Sequence, residues 1–427
     1  MKKTDNNIIN PQISSKSKRG FDIRKFYIKT FGCQMNSYDS QCIAGQMLAE
    51  GFEQIDNSKC AINRTITNTK NEQARSLRCA MKHTTMAEAD IILFNTCSVR
   101  EHAEQRFYTN LGATYNLKEK NPELIVGVCG CVAEQEGTKL LNRYPWVKLI
   151  AGPGNISEIG NAVKKIIENN SRIILTGNFD PPSFPVGKLD RGTGGGVTIA
   201  RKNKDSALVA IIRGCDNFCS YCVVPYLRGR EQSRPMDEII EEVKQIARDG
   251  YKEVMLLGQN VCAYNDFANL LREINEIEGI ERIRFMTSHP RDVGEEMIDA
   301  VANLDRVCKE FHLPVQSGSN KILKAMNRGY TKEYYLDLIN SIRAKVPGIR
   351  ITTDIIVGFP GETEEDFQDT LELVRKIKFD DAFMFKYSDR PGTKANKKDG
   401  KIPQEIKEKR LKILMEKIRS LRPPSFL

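Results

Sequence analysis

Apolar and polar positions along this chain follow two periods that keep changing places. From residue 26 a short apolar run is followed by a turn, then by an amphipathic stretch with apolar residues every three or four positions, and the cycle repeats. The runs at 26–30, 90–95, 124–128 and 147–151 are predicted strands, and 40–50, 99–118, 134–142 and 155–169 are predicted helices. Strand–helix alternation of this kind gives a parallel sheet covered by helices. Residues 57–84 interrupt it: they are polar, contain Thr65-Ile-Thr-Asn-Thr-Lys70 and hold no clear period, so they read as a surface insertion.

Residues 171–201 contain Asp180-Pro-Pro-Ser-Phe-Pro185 and Arg191-Gly-Thr-Gly-Gly-Gly196, which oppose helix and sheet alike and read as a linker. The alternation then resumes, with strands expected at 208–213, 253–258, 282–287, 310–315, 350–357 and 382–387. Helices are expected at 236–249, 267–276, 295–303, 332–344 and 364–376. The predicted fold class is therefore α/β: an N-terminal parallel-sheet domain over 26–170, followed by a partial (β/α)6 TIM-like barrel over 202–390. Such a barrel carries its active site at the C-terminal strand ends; a doubly wound sheet is the competing architecture. Residues 1–25 are polar, rich in Asn, Ser and Lys, and read as a mobile basic arm. Residues 391–427 read as a basic helical tail, with its helix over 403–422.

Composition narrows the function. With 40% apolar and 28% charged residues the chain is an ordinary globular sequence. No stretch approaches the roughly 20 apolar residues of a membrane span, and Met1-Lys-Lys-Thr lacks the apolar core of a signal peptide, so a cytoplasmic protein is expected. A net charge of +10 favours a polyanionic partner, and residues 394–422 concentrate it with eleven basic and four acidic residues. Twelve Cys against four His, in a reducing compartment, point to thiolate-bound iron–sulfur clusters more than to disulfides or mixed-ligand zinc.

Spacing says which Cys matter. Cys215-Asp-Asn-Phe-Cys219-Ser-Tyr-Cys222 follows the first predicted barrel strand directly. Three thiolates within eight residues hold three irons of a cubane and leave the fourth open for an outside ligand. S-adenosylmethionine bound there through its amino and carboxylate groups accepts an electron at the sulfonium and releases a 5′-deoxyadenosyl radical. A zinc site or a plain group of buried thiols is the alternative, although no fourth Cys lies nearby. At the ends of the other barrel strands, Gly258-Gln259-Asn260, Gln316-Ser317-Gly318-Ser319 and Gly358-Phe-Pro-Gly361-Glu362 offer close backbone approach and directed polar groups. Tyr221, Gly258, Gln259, Asn260, Ser317, Gly358 and Glu362 are the candidate cofactor contacts; beyond the clusters, no catalytic residue is assigned.

The three-Cys motif, with Val223-Val-Pro-Tyr-Leu-Arg-Gly-Arg-Glu231 after it, resembles the radical S-adenosylmethionine tRNA methylthiotransferases, and among them the isopentenyladenosine enzymes of bacteria and organelles. The resemblance runs from about residue 26 to 422 and takes in three further Cys, each just past a predicted strand of the first domain. These are Cys33 in Phe31-Gly-Cys-Gln-Met-Asn36, Cys97 in Asn95-Thr-Cys-Ser-Val-Arg100, and Cys131 in Cys129-Gly-Cys131. Strand ends of a parallel sheet open on one crevice, so these thiols suit a second cubane with an open iron, unless they are core Cys placed there by chance. Cys129 reads as a strand residue, and Cys42, Cys60, Cys79 and Cys308 as inert. Cys262 stands where the family usually has Asn.

The resemblance implies two 4Fe–4S clusters, one S-adenosylmethionine cleaved and one donating methyl, and methylthiolation at carbon 2 of N6-isopentenyladenosine beside the anticodon. It implies tRNA, an electron donor such as a flavodoxin or ferredoxin and a sulfur source as partners, in a monomer. Phe31-Gly-Cys-Gln-Met-Asn36 and Gly258-Gln-Asn-Val261 argue against the relatives that modify threonylcarbamoyl-adenosine or a ribosomal-protein aspartate. The Cys motif at a barrel strand end argues against a non-catalytic RNA-binding redox sensor. Family members usually end in a small β-rich RNA-binding domain (TRAM-type), and none is expected within these 427 residues.

Overall fold

The computed structural model describes residues 24–55, 86–99, 101–177, 199–201 and 205–421. The predicted insertion over 57–84, with Cys60 and Cys79, lies outside the described residues, as does the predicted arm up to residue 23. The N-terminal elements run β1 (Lys25–Thr30), α1 (Gln34–Ala49), β2 (Glu53–Gln54), β3 (Ile91–Thr96), α2 (Glu101–Lys120) and β4 (Ile125–Gly130). They continue as α3 (Cys131–Glu136), α4 (Thr138–Arg143), β5 (Val147–Ala151), α5 (Ile159–Asn169) and β6 (Ile173–Leu175). The strands form one sheet in the order β2-β1-β3-β4-β5-β6, every pair parallel. β3 and β4 are buried at every position, as expected of parallel strands covered on both faces. The strand order reverses between β1 and β3, and that switch point is where a crevice opens beyond the strand ends.

Two expectations change here. Helix α1 starts at Gln34, not at residue 40, because Cys33 takes the extended N-cap conformation and Asn36 bonds back to it; the polar letters of that first turn hid a buried face that includes Asn36 and Asp39. Residues 173–175, read as linker, instead pair with β5 as the edge strand β6.

The second half runs β7 (Ser206–Ala210), β8 (Ile212–Arg213), α6 (Val224–Leu227), β9 (Gln232–Ser233), α7 (Met236–Arg248), β10 (Glu253–Leu257) and α8 (Phe267–Asn275). It continues with β11 (Arg282–Phe285), α9 (Glu295–Asn303), β12 (Glu310–His312), α10 (Asn320–Ala325) and α11 (Lys332–Lys345). The last elements are β13 (Arg350–Val357), α12 (Glu364–Ile377), β14 (Asp381–Lys386) and α13 (Gln404–Leu421). Strands β7, β10 and β11 pair in parallel, as do β12, β13 and β14, and a parallel bridge from Ile283 to Val307 joins the two sets. Six parallel strands thus follow one another in chain order as a partial (β/α)6 barrel. Among the described residues β7 and β14 do not pair, so the barrel is open.

The halves share a core. One apolar cluster takes in Met35, Ile43 and Met47 of α1 together with Ala210 of β7 and Met255 and Leu257 of β10. The N-terminal layer therefore covers the inner face of the first two barrel strands. The C-terminal helix α13 is also docked: Leu414 and Ile418 are buried in the barrel core. No helix among the described residues is long and apolar enough to cross a membrane.

Candidate functional site

The N-terminal site is assembled by the sheet order. Cys33, Cys97 and Cys131 each lie just past the C-terminal end of a strand, and the strands concerned, β1, β3 and β4, are immediate neighbours. Polar side chains tie the three loops together. Asn36, buried, donates to the Thr96 carbonyl at 2.9 Å, and Asn95 donates back to the Asn36 carbonyl at 2.8 Å. Thr96 Oγ1 then donates to the Cys129 carbonyl at 2.6 Å and accepts from Val132 N at 3.2 Å, fixing the turn that carries Cys131. Gly32, at φ +129, lets the chain pass; a Cβ there would stand 2.5 Å from Cys97 Cβ.

The thiols sense one another. Burial pushes the Cys97 thiol up to about 12, and the neighbouring Cys131 and Cys33 push in the same direction. Cys129 is raised by burial alone and sits in β4 in the core, as its strand position implies. Cys97 and Cys131 are buried while Cys33 is exposed at the rim; crowded thiolates of this kind are unfavourable until a cation binds them, and a metal centre offsets that cost.

The second triad sits on the loop after β8. Its start is set by Gly214 (φ +76), where a Cβ would collide with the Arg230 carbonyl. Gln259 Oε1 accepts from Gly214 N at 2.8 Å. The loop is clasped by the segment after α10: Ser220 N donates to the Met326 carbonyl, and Asn327 donates to the carbonyls of Asn217 and Phe218. Arg328, almost fully buried, donates to Cys219 Sγ at 3.3 Å, to Tyr221 OH at 3.5 Å and to the Pro314 carbonyl at 2.7 Å. Burial pushes the Cys215 thiol up to about 11 against the pull of Asn217 hydrogen bonds, and raises Cys222 too, with Cys219 adding to the shift. Among the described residues no group of three His, Cys, Asp or Glu is drawn together around a single-ion point. Thiolates of a cubane stand further apart than the ligands of a mononuclear site.

Phe218, Thr287 and Gln316 adopt positive φ of 45°, 74° and 71°. All three lie where barrel strands or their loops reach the site. Strain of this kind in residues other than Gly persists where the surroundings impose it, and it gathers at functional sites.

The candidate cofactor contacts are brought to the same end of the barrel, several of them already engaged. Asn260 donates to Asp292 at 2.6 Å and accepts from His289 N at 3.0 Å. Ser317 accepts from Ser319 N at 3.2 Å. Glu362 accepts from Gly358 N at 2.7 Å and pairs with Arg410 of α13 at 2.7 Å. Tyr221 packs with Ile322, Met326 and Phe359, and Gly258 lies against the Ile212 side chain. Cys262 is buried beside Ser288. His289 is held neutral: burial, then Arg328 and Arg291, push it down to about 2.

The inner face of the last strand is exposed. On β13 and β14 the register sets Asp354 beside Phe383 and Ile356 beside Phe385, on the face opposite Ile355, Val357 and Ala382, which join the helix-facing core. Phe383 and Phe385 are 45% and 36% exposed there. Ile356 packs against the group that includes Tyr221, so this aromatic face lies beside the Cys loop.

The loops that carry the two triads touch. Cys131 packs against Val223, the residue after Cys222, and against Leu227 of α6. Asp39 of α1, fully buried, pairs with Arg213 at 2.6 Å and Arg228 at 2.9 Å, both from the barrel half. Asn36, Asn95, Asp39, Arg228 and Arg328 were not singled out from sequence. Asn36 and Asn95 stand inside the Cys motifs, but nothing local shows that they bond to each other across 59 residues.

Residues 209–374 match the radical SAM superfamily, and residues 25–71 and 60–152 match the uncharacterized protein family UPF0004. The tRNA-2-methylthio-N(6)-dimethylallyladenosine synthase of Clostridium tetani is 44% identical over 96% of this chain and 83% of its own. The protein of the same name from Caldicellulosiruptor saccharolyticus is 44% identical over 93% and 78%. Among solved structures, the radical S-adenosylmethionine methyltransferase TsrM of Kitasatospora setae, with cobalamin and a [4Fe-4S] cluster bound, shares the fold. It aligns at a TM-score of 0.59 and 17% identity, over 88% of this chain and 77% of that one.

Proposed function

The chain belongs to the radical SAM superfamily and, within it, to the family of tRNA-2-methylthio-N(6)-dimethylallyladenosine synthases, and on that premise we propose that it places a methylthio group on carbon 2 of N6-isopentenyladenosine beside the anticodon of tRNA. One observation supports the reading: Cys131 of the N-terminal triad packs against Val223 and Leu227, which lie within five residues after the last Cys of the barrel triad. A reaction that must both open a C–H bond and supply sulfur needs two centres within reach of one substrate atom.

The donor sets fit a pair of 4Fe–4S clusters. Cys215, Cys219 and Cys222 would hold one and Cys33, Cys97 and Cys131 the other, each set leaving one iron for an outside ligand. With S-adenosylmethionine, the clusters supply one-electron chemistry for C–H activation and a seat for sulfur. The protein does the rest. The clasp from Ser220 and Arg328 fixes the Cys loop, and the shared core between α1 and β7–β10 closes one side of the barrel to water. Tyr221, Gly258, Gln259, Asn260, Ser317, Gly358 and Glu362 line or brace the seat of S-adenosylmethionine. Gln259, Asn260, Ser317 and Glu362 spend side-chain bonds on the protein and act chiefly by holding backbone in place. The open aromatic face of Phe383 and Phe385 receives the base, with Asp354 beside it as an acceptor for an exocyclic N–H.

Residues 26–170 are the sulfur-carrying domain and 202–390 the radical-generating one, with α13 braced against the latter. The electron donor is a small flavodoxin- or ferredoxin-type protein, the sulfur comes from an external source, and a monomer working in the cytoplasm suffices. Nucleoside mass analysis of tRNA from cells with and without this protein tests the reading. Methylthio-isopentenyladenosine that depends on the protein supports it; a methylthiolated threonylcarbamoyl-adenosine in its place would overturn the substrate assignment.

A further inference from the structure

Arg228 is a buried guanidinium with an unused donor. Its side chain is 5% exposed, and Nη2 pairs with Asp39 at 2.9 Å. Nη1 is buried and has no hydrogen-bond partner among the described residues. An unpaired donor of this kind costs about 1–3 kcal/mol, more when charged, unless something absent from the protein alone satisfies it. Asp39 does not neutralise it fully, since the same carboxylate also pairs with Arg213.

The surroundings say what that something is. Leu227, the preceding residue, packs directly on Cys131. Asp39 lies on α1, whose N-cap is Cys33, so the tether and one thiol share a rigid element. Burial opposes the charge on Arg228, but Asp39, then Cys131 and Cys33, favour it. Asp39 therefore fixes the cation between α1, which Cys33 caps, and the Leu227 contact with Cys131 one residue away.

Resting on the reading above, we propose that Arg228 is an anion-binding residue of the N-terminal centre: its free Nη1 donates to the anionic sulfur, of the methanethiolate class, that occupies the open iron left by Cys33, Cys97 and Cys131. A guanidinium is always charged and weakly hydrated, so from its buried position it serves a soft anion where a buried lysine would shed its proton more readily. Asp39 is the positioning residue, holding Nη2 so that Nη1 points one way. No covalent step is assigned to either.

The test is equilibrium binding of radiolabelled methanethiolate to anaerobically reconstituted full-length protein with oxidised clusters. Saturating S-adenosylmethionine covers the barrel cluster's open iron. Wild type should bind about one equivalent. Arg228→Met should bind about tenfold more weakly or worse, the scale of one charge-assisted hydrogen bond, with iron per chain unchanged. Arg228→Lys should recover part of that loss. Asp39→Asn, which keeps the cation but loosens it, should weaken binding by less, and with the lysine variant it carries the test if Arg228→Met does not fold. Equal affinity across these variants at equal iron content would overturn the proposal and leave the second cluster standing. Wild-type protein that holds no iron on Cys33, Cys97 and Cys131 would overturn both.

Discussion

The tail helix α13 combines two kinds of basic residue, and substitution separates them. Arg410 is not available to a phosphate: its side chain is 7% exposed and paired at 2.7 Å with Glu362, which is 1% exposed. Glu362 in turn caps Gly358 N, so the pair staples α13 to the end of β13. Replacing Arg410 by Met strands a buried carboxylate with one N–H donor. Breaking a buried pair on one side costs about 3–5 kcal/mol, whereas removing both partners is close to neutral. Anaerobic urea titration followed by circular dichroism should therefore show a large loss for Arg410→Met and recovery of most of it in Arg410→Met/Glu362→Gln. The pH dependence has a definite sign. Burial already raises the Glu362 carboxyl, held back by Gly358 N–H and by Arg410. Without Arg410 the folded carboxyl rises further, the folded state binds more protons than the unfolded one, and stability improves as pH falls. The variant should lose less at pH 5 than at pH 8. By contrast Lys409, Lys412 and Arg419 are exposed. Changing them to Gln should alter stability by no more than about 0.5 kcal/mol. It should also flatten the salt dependence of tRNA binding by up to about 0.9 per lost phosphate contact. A loss below about 0.5 kcal/mol for Arg410→Met would refute the staple, and an unchanged salt slope for the exposed set would make that face merely solvated.

Three further outcomes follow from the site. Reconstituted protein should carry about eight irons, and Ala at either Cys triad should remove about half; with Cys33, Cys97 and Cys131 replaced, reductive cleavage of S-adenosylmethionine should persist while methylthiolation stops, and the reverse pattern would contradict the division of labour. Arg328→Met removes the donor to Cys219 Sγ; electrochemical titration should find the barrel cluster's potential lower by roughly 60 mV, the one-electron equivalent of about 1.4 kcal/mol, with Lys restoring part of it. Phe383→Ala and Phe385→Ala should each raise KM for isopentenyl-tRNA by the equivalent of about 1–3 kcal/mol, the worth of a stacked base, while uncoupled cleavage of S-adenosylmethionine is unchanged.

Much of this molecule is legible in its letters, for physical reasons that can be named. β13 spans 350–357 as expected because its β-branched run is flanked by turn residues, and β7, β10 and β14 announce themselves by apolar runs. That Cys33, Cys97 and Cys131 come to one rim is legible because strand ends in a parallel sheet share it, so position along the chain translates into position in space. What stayed hidden is pairing at a distance. Asp39 lies near the start of α1 in a stretch that reads as exposed, yet it is fully buried and two arginines 174 and 189 residues away converge on it. Arg410 reads as one more basic residue of a charged helix, and contacts with Glu362, 48 residues earlier, and with Glu364 and the Phe367 ring make it internal. β6 escaped notice because three residues at a sheet edge, half exposed, have too little period to register.

The central claim is that one chain joins C–H activation to sulfur delivery on an adenosine of tRNA. It is tested most directly by incubating reconstituted protein with isopentenyl-tRNA, a reductant and S-adenosylmethionine deuterated in its methyl group, then weighing the nucleosides. The account predicts a methylthio-isopentenyladenosine that carries the deuterated methyl, present with wild type and absent with Ala at Cys33, Cys97 and Cys131 or at Cys215, Cys219 and Cys222. Product that forms equally well without the N-terminal triad, or cleavage of S-adenosylmethionine with no sulfur ever reaching the base of a competent tRNA, would contradict it.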